Sequence, residues 1–169
     1  NIEGNFSRFF KGGVGLAFYH DAIGFSRQNN LLLNYSYPIK ISNVGVLGLG
    51  IGLGIINYGL DPDWNPPSAA PDPSLPIGFS ATNLDVNLGF YFKGKDYYAG
   101  LSSTHLSESL LKKTVDGFDQ NYQTARHYYF MGGKTFDNVL NGKIDAQVLM
   151  RTELIKFSFD VNARYFFNI

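Results

Sequence analysis

The chain contains no cysteine, which removes thiolate nucleophiles, disulfides and the usual structural zinc sites. That absence is compatible with an oxidising envelope compartment. Neither charge is in excess: Lys+Arg and Asp+Glu stand at 14 each, so there is no basic field to attract nucleic acid and no acidic tail. A long apolar run is also missing. The longest, Val44 to Ile56, falls short of the roughly 20 residues a spanning helix needs, and its alternate glycines would each cost about 1 kcal/mol in a helix. No transmembrane helix is expected. The chain opens on Asn1-Ile2-Glu3 without an initiator Met or a signal peptide, as a processed or partial chain would.

Hydrophobic residues make up 44% and aromatics 16% of the 169 residues, yet mean hydropathy is only −0.10. The apolar residues are therefore diluted evenly by glycine and polar residues, as they are in the wall of a barrel. The length calls for one domain, 1–169, with no reason to divide it.

The dilution has a period of two. Leu47, Leu49, Ile51, Leu53 and Ile55 fall on one face, with Gly48, Gly50, Gly52 and Gly54 on the other, which means strand. The same alternation sets Val14, Leu16 and Phe18 against Gly13, Gly15, Ala17 and Tyr19. It then sets Leu31, Leu33, Tyr35 and Ile39 against Asn30, Asn34 and Ser36, with Leu32 out of step. Leu84 to Phe92 alternates with Asp85 to Lys93 and turns through Gly94-Lys95 into Tyr97 to Ser103, a hairpin. Arg126 to Phe136, Ile144 to Met150 and Phe157 to Phe167 complete about eight strands. Most approach the length of about 10 residues that crosses a bilayer at a tilt.

Connections alternate too. Ser42-Asn43 and Gly94-Lys95 are tight, whereas Gly59 to Thr82 and Thr104 to Ala125 are long. Short turns at one end and long loops at the other is the asymmetry of outer-membrane barrels, long loops outside. The first long loop holds six of the seven prolines and the only tryptophan, Trp64, and its prolines favour extended, semi-rigid backbone. A soluble antiparallel sandwich would alternate as well. It would, however, carry many Lys and Glu on its outer face, where this chain has Gly, Asn, Ser and Tyr. Paired aromatics near strand ends, Phe18-Tyr19, Tyr97-Tyr98, Tyr128-Tyr129 and Tyr165-Phe166-Phe167, suit interfacial girdles. The expectation is an all-β, antiparallel transmembrane barrel of the outer membrane.

Few residues carry recognisable chemistry. His20 and His127 stand at strand ends, where hydrogen bonding is the simpler role. His105 and Ser107 form an H-x-S pair similar to that of lipid A deacylases, in which a His activates a Ser beside a carboxylate, with Glu108, Asp116 or Asp119 as the third member. Asp61, Asp63 and Asn65 have the opening spacing of a calcium loop and Asp72 a closing position. Pro66 stands where such a loop needs glycine, so a helix-loop-helix calcium site is excluded and only a looser cation site is left. The regular glycines lie within a strand and not before a helix, so they do not cradle phosphate. Their expected role is steric: with Asp85 and Asn87 they form a lumen wall with room for something large. No catalytic residue, metal or cofactor is assigned.

Gly12 to Gly24 (GGVGLAFYHDAIG), Leu31 to Ser42 (LLLNYSYPIKIS), Leu47 to Asp61 (LGLGIGLGIINYGLD), Asn83 to Leu106 (NLDVNLGFYFKGKDYYAGLSSTHL) and Arg126 to Gly133 (RHYYFMGG) follow one another in an order and spacing that resembles the PorP/SprF-type outer-membrane proteins of the Bacteroidetes type IX secretion and gliding systems. The resemblance spans most of the chain. It implies a barrel without enzymatic activity that works with the secretion and motility machinery and supports export or anchoring of a large surface adhesin through that protein's C-terminal domain. It also implies a longer chain with further strands on both sides. Two architectures are then open, about eight strands closing on themselves or part of a wider wall.

The expected partners are outer-membrane lipid, machinery subunits and the large surface protein. Trp64, Phe118 and Tyr122 on the long loops are the candidate anchors for that protein, because aromatics dominate interface energetics. The alternative role for these rings is to pack the loops onto the barrel mouth. The rival functions are a diffusion pore lined by Asp85, Asn87, Lys93, Asp160, Asn162 and Arg164, and the lipid A esterase.

Overall fold

The computed structural model describes residues 2–5, 11–64, 75, 77–108, 110–115 and 118–167, and side chains for all of these except 2–5, 110, 112, 113, 115 and 118–120. The strands are β1 (Ile2–Asn5), β2 (Gly13–Ile23), β3 (Ser26–Ile41), β4 (Gly45–Leu60), β5 (Phe79–Lys93), β6 (Tyr97–Thr104), β7 (Leu110–Val115), β8 (Phe118–Gln123), β9 (His127–Val139), β10 (Gly142–Thr152) and β11 (Phe157–Phe167). No helix occurs among the described residues, and so none crosses a membrane as a helix.

Eight long strands and the short β1 form one antiparallel sheet in the order β1-β2-β3-β4-β5-β6-β9-β10-β11. Every neighbouring pair is antiparallel. Among the described residues β1 and β11 are the two edges, and the sheet is not closed through them. The expected strands all form, and β3 and β4 run to 16 residues each. That is a span of about 50 Å, more than a tilted bilayer crossing needs. The second long connection is not only a loop: it holds β7 and β8, a separate two-stranded ribbon. The sequence hid them because Leu110 to Gln123 alternates poorly and is rich in Lys, Asp, Gln and Asn, a composition that reads as turn.

The pairing register fixes which side chains share a face. Gly13, Ser36, Gly50, Gly89, Ser102 and Tyr129 stand opposite one another in turn across six strands. Gly13, Ser36, Gly50 and Gly89 of this row line a concavity of about 920 Å³, together with Gly15, Gly48, Gly52, Asn34 and Asn87, and Leu16, Ile51 and Leu88 also border it. The sheet therefore curls with its glycine face inward. The convex face carries Leu16, Phe18, Leu33, Ile51, Leu53, Leu84, Leu88, Phe90, Phe130, Val148, Phe159 and Val161, all exposed. This is a globular protein turned inside out: the apolar side chains of this face point away from the glycine side and, among the described residues, are left exposed.

Each aromatic doublet is split by the pleat. Phe92 and Tyr97 meet on the convex face with ring centroids 5.7 Å apart, while Tyr91 and Tyr98 meet on the concave face at 5.9 Å. The rings counted as girdle by the sequence thus serve two surfaces. The core lies on the inner side: among the described residues Ala17, Leu32, Ile56, Phe79 and Leu111 are the buried apolar ones. Leu32, the residue that broke the alternation, points inward with Ala17 on one side and Gly54 on the other.

Candidate functional site

The structure gives the four glycines of β4 different roles. A Cβ on Gly48 or Gly50 would find its nearest neighbour 3.5 or 3.6 Å away, an ordinary contact. On Gly52 it would press on the Asn34 carboxamide oxygen at 2.6 Å and the Asn87 side chain at 3.3 Å. On Gly54 it would run into the Leu31 carbonyl and come within 2.9 Å of Leu32 Cα. Gly54 is required by the close approach of β3, whereas Gly48 and Gly50 leave the concavity open.

Asp85 stands opposite Gly54 on β5 and is 2% exposed. Its Oδ1 lies 3.0 Å from His105 Nδ1, and its Oδ2 meets no hydrogen-bond partner among the described residues. Asn87, two residues on and on the same face, accepts from the His105 backbone N–H at 3.0 Å. β5 thus grips both the ring and the backbone of His105. The next residues continue along it, Leu106 N–H donating to Val86 O at 2.9 Å and Ser107 Oγ to Leu84 O at 3.0 Å. His105 and Glu108 both have left-handed backbone, φ 55° and 42°, so the chain leaves the wall abruptly there.

The ribbon β7–β8 then packs back against β5, with Leu111 wholly buried. Tyr122 stacks face to face on Tyr58 of β4, centroids 3.8 Å apart and planes 1° from parallel, and its hydroxyl reaches Gln28 Oε1 of β3 at 3.4 Å. Burial first, and then the neighbouring Tyr58, holds the Tyr122 hydroxyl above the usual tyrosine range. Arg126 fastens the return, donating to Leu106 O at 3.0 Å and lying 3.5 Å from Glu108. Beyond it His127 sits between Ala125 O at 2.9 Å and Glu153 at 2.7 Å, 6.1 Å ring to ring from His105.

The candidates from the sequence therefore separate. Asp85, Asn87 and His105 come together, and the carboxylate on His105 is Asp85, not Glu108, which faces Arg126. Asp116 lies outside the described residues, as does the side chain of Asp119. Ser107 directs its hydroxyl at the Leu84 carbonyl. Trp64 is exposed at the mouth, edge-on to Phe25 at 5.1 Å. Tyr122 is engaged on the inner face, and the side chain of Phe118 lies outside the described residues. Asp61 and Asp63 are exposed. Asn65, Pro66 and Asp72 fall outside the described residues, and among those described no three His, Asp or Glu are placed to hold a metal ion.

Of the pore candidates, Asp160 pairs with Arg151, and Arg164 lies 3.5 Å from Asp145. Gln147 also donates to Asp145, at 2.6 Å. Sequence reasoning missed Tyr58, Gln28 and Asp145. Continuing the period of β4 and β3 puts Tyr58 and Gln28 on the inward face, but nothing local marks the ring and the amide that Tyr122 meets 64 and 94 residues further on.

An antiparallel sheet with exposed apolar side chains on one face and glycines on the other is compatible with a membrane protein that crosses with strands. The family model of the type IX secretion system membrane protein PorP/SprF matches residues 1–169, and the chain belongs to that family. No curated protein and no solved structure matches it.

Proposed function

We propose that residues 1–169 form one domain, the wall of an outer-membrane barrel with its long connections outside, and that it binds and helps export or anchor a large cell-surface protein through that protein's C-terminal domain. The supporting observation is the inverted wall in a chain of the type IX secretion family. Apolar residues on the convex face bind lipid, so partner recognition falls to the mouth and the inner face. Association with secretion-machinery subunits follows from the family. At the mouth, Trp64 on Phe25 is the exposed aromatic pair, the kind of anchor that carries binding energy.

The test is gentle solubilisation of native outer membrane, purification through a tag and mass spectrometry of what accompanies the protein. Co-purification of machinery subunits and of a very large surface protein is the expected result. A chain that emerges alone ends the cargo reading, and unchanged cargo retention in Trp64→Ala removes that residue from it. The pore reading is less favoured, because β7–β8 covers part of the inner face. The esterase reading is less favoured because Ser107 donates to a backbone carbonyl. Planar-bilayer conductance and lipid A deacylation assays are the measurements that would revive them.

A further inference from the structure

We propose that the outer face of β2 to β5 carries, just beyond its apolar band at the long-loop end, a docking site for the phosphate- and hydroxyl-bearing head group of an outer-leaflet lipid, a site that rests on the outer-membrane reading above. Phe18, Leu31, Ile55 and Leu84 stand opposite one another on these four neighbouring strands, and all are exposed and apolar. Two residues nearer the long-loop end, the next row on the same face is His20, Asn29, Asn57 and Thr82, and the one after it is Ala22, Arg27, Gly59 and Ser80. The change from apolar to polar side chains thus falls at one level on all four strands. Below it, Leu47 to Ile55 of β4 spans about 26 Å along the strand. A tilt of about 40° reduces this to about 20 Å, close to the apolar band of about 25 Å that barrel walls present to lipid.

The polar rows are held in place by their own hydrogen bonds. His20 Nδ1 lies 2.7 Å from Asn29 Oδ1. Asn57 donates through Nδ2 to Thr82 Oγ1 at 2.8 Å, Ser80 Oγ at 3.1 Å and Ala81 O at 3.2 Å, which anchors its carboxamide by the nitrogen. Between Arg27 and Ser80 the face has no side chain at Gly59, where an added Cβ would come no closer than 3.8 Å to any described residue beyond its chain neighbours. The result is a recess one residue wide, with the exposed Arg27 on one side and the exposed Ser80 on the other. The two rows hold one guanidinium, one imidazole and no carboxylate, so the patch complements an anion. A guanidinium meets a phosphate through two parallel N–H···O bonds, and amides and hydroxyls serve sugar hydroxyls as both donors and acceptors. The acyl chains of the same molecule would run down over Phe18, Leu31, Ile55 and Leu84, so one ligand matches the polar rows and the apolar band beneath them. An arginine on the lipid face is costly at mid-depth and close to neutral at the interface, so Arg27 belongs at head-group level.

The full chain, purified in detergent, is titrated with lipid A bearing both phosphates, with dephosphorylated lipid A and with phosphatidylethanolamine, and bound lipid is counted by native mass spectrometry. Lipid A should bind at least fivefold more tightly than either of the others. Arg27→Gln and, separately, Gly59→Leu, which fills the recess, should each weaken lipid A binding at least fivefold, while Arg151→Gln on the inner face leaves it unchanged. Inorganic phosphate at matched concentration should not displace the lipid. Equal binding of the three lipids overturns the site, as does lipid A binding that survives Arg27→Gln or, in a folded chain, Gly59→Leu. Displacement by inorganic phosphate alone makes it a site for a free anion and overturns the lipid. Arg27→Gln alters one exposed side chain and keeps the test decisive if Gly59→Leu fails to fold. A spin label on Leu53→Cys, the single thiol of a chain that has no cysteine, separates the site from the wider reading. In phosphatidylethanolamine–phosphatidylglycerol vesicles it should be reached by oxygen and shielded from an aqueous nickel chelate. A shielded label without any preference for lipid A leaves the membrane wall standing and overturns the head-group site; a label open to the chelate removes the wall and the site with it.

Discussion

The two halves of the inner face are built on different physics. From β2 to β5 it is made of fit: glycines, asparagines and a small apolar core, with Ile56 fully buried and Asp85 nearly so. From β9 to β11 it is made of charge: Arg151 on Asp160, Arg164 beside Asp145, and Gln147 on Asp145, with Arg151, Asp160 and Arg164 well exposed to solvent. The outer face is the same in both, exposed and apolar. One rule thus holds for the outer face along the whole sheet, while the inner face is packed where the ribbon lies and solvated where it does not.

The sharpest way to break this contrast is within β4. Gly54→Val drives a side chain into the Leu31 carbonyl, a backbone clash that no rotamer relieves, and should cost about 3 kcal/mol or more. Loss of the heat-modifiable folded band on a gel is the expected outcome. Gly50→Val meets only ordinary contacts and should fold, with labelling or binding in the concavity altered instead. Equal behaviour of the two would mean that fit is not what distinguishes this half. On the shared outer face, Ile51→Arg should cost about 2–4 kcal/mol at bilayer depth, read as a lower urea midpoint for unfolding from vesicles. A neutral result there would remove the convex face from the membrane.

Most of the sheet was legible from alternation alone, because a strand with one apolar and one small or polar face must alternate and because turns and long connections differ in length. The strands from Gly13 to Phe92 could be placed by eye, and the same period put Gly48 to Gly54 on one face of their strand and Asp85 and Asn87 on one face of theirs. What the pattern could not carry is contact between distant segments. Tyr122 on Tyr58, and His105 on Asp85, depend on how a polar stretch between two strands folds back, and its local composition favours turn without specifying direction. Leu32 was readable as an exception and not as a core residue, because its explanation lies in Gly54 on the neighbouring strand. The split aromatic doublets show the same limit: the pleat decides which ring faces lipid, and composition counts both.

The smallest expected effect lies in the charged half. Arg151 and Asp160 are each nearly half exposed, so their attraction is shared with water and opposed by the entropy of holding a long side chain. Such pairs contribute about 0–1 kcal/mol. Arg151→Gln should therefore shift the unfolding midpoint by less than Ile51→Arg does. Raising salt to physiological strength should shrink the difference only in part, because screening is strong beyond a Debye length of about 8 Å and this pair lies in contact. A salt-insensitive loss of several kcal/mol would instead show that β9 to β11 is as tightly packed as β2 to β5, and that something not yet seen lies against Arg151.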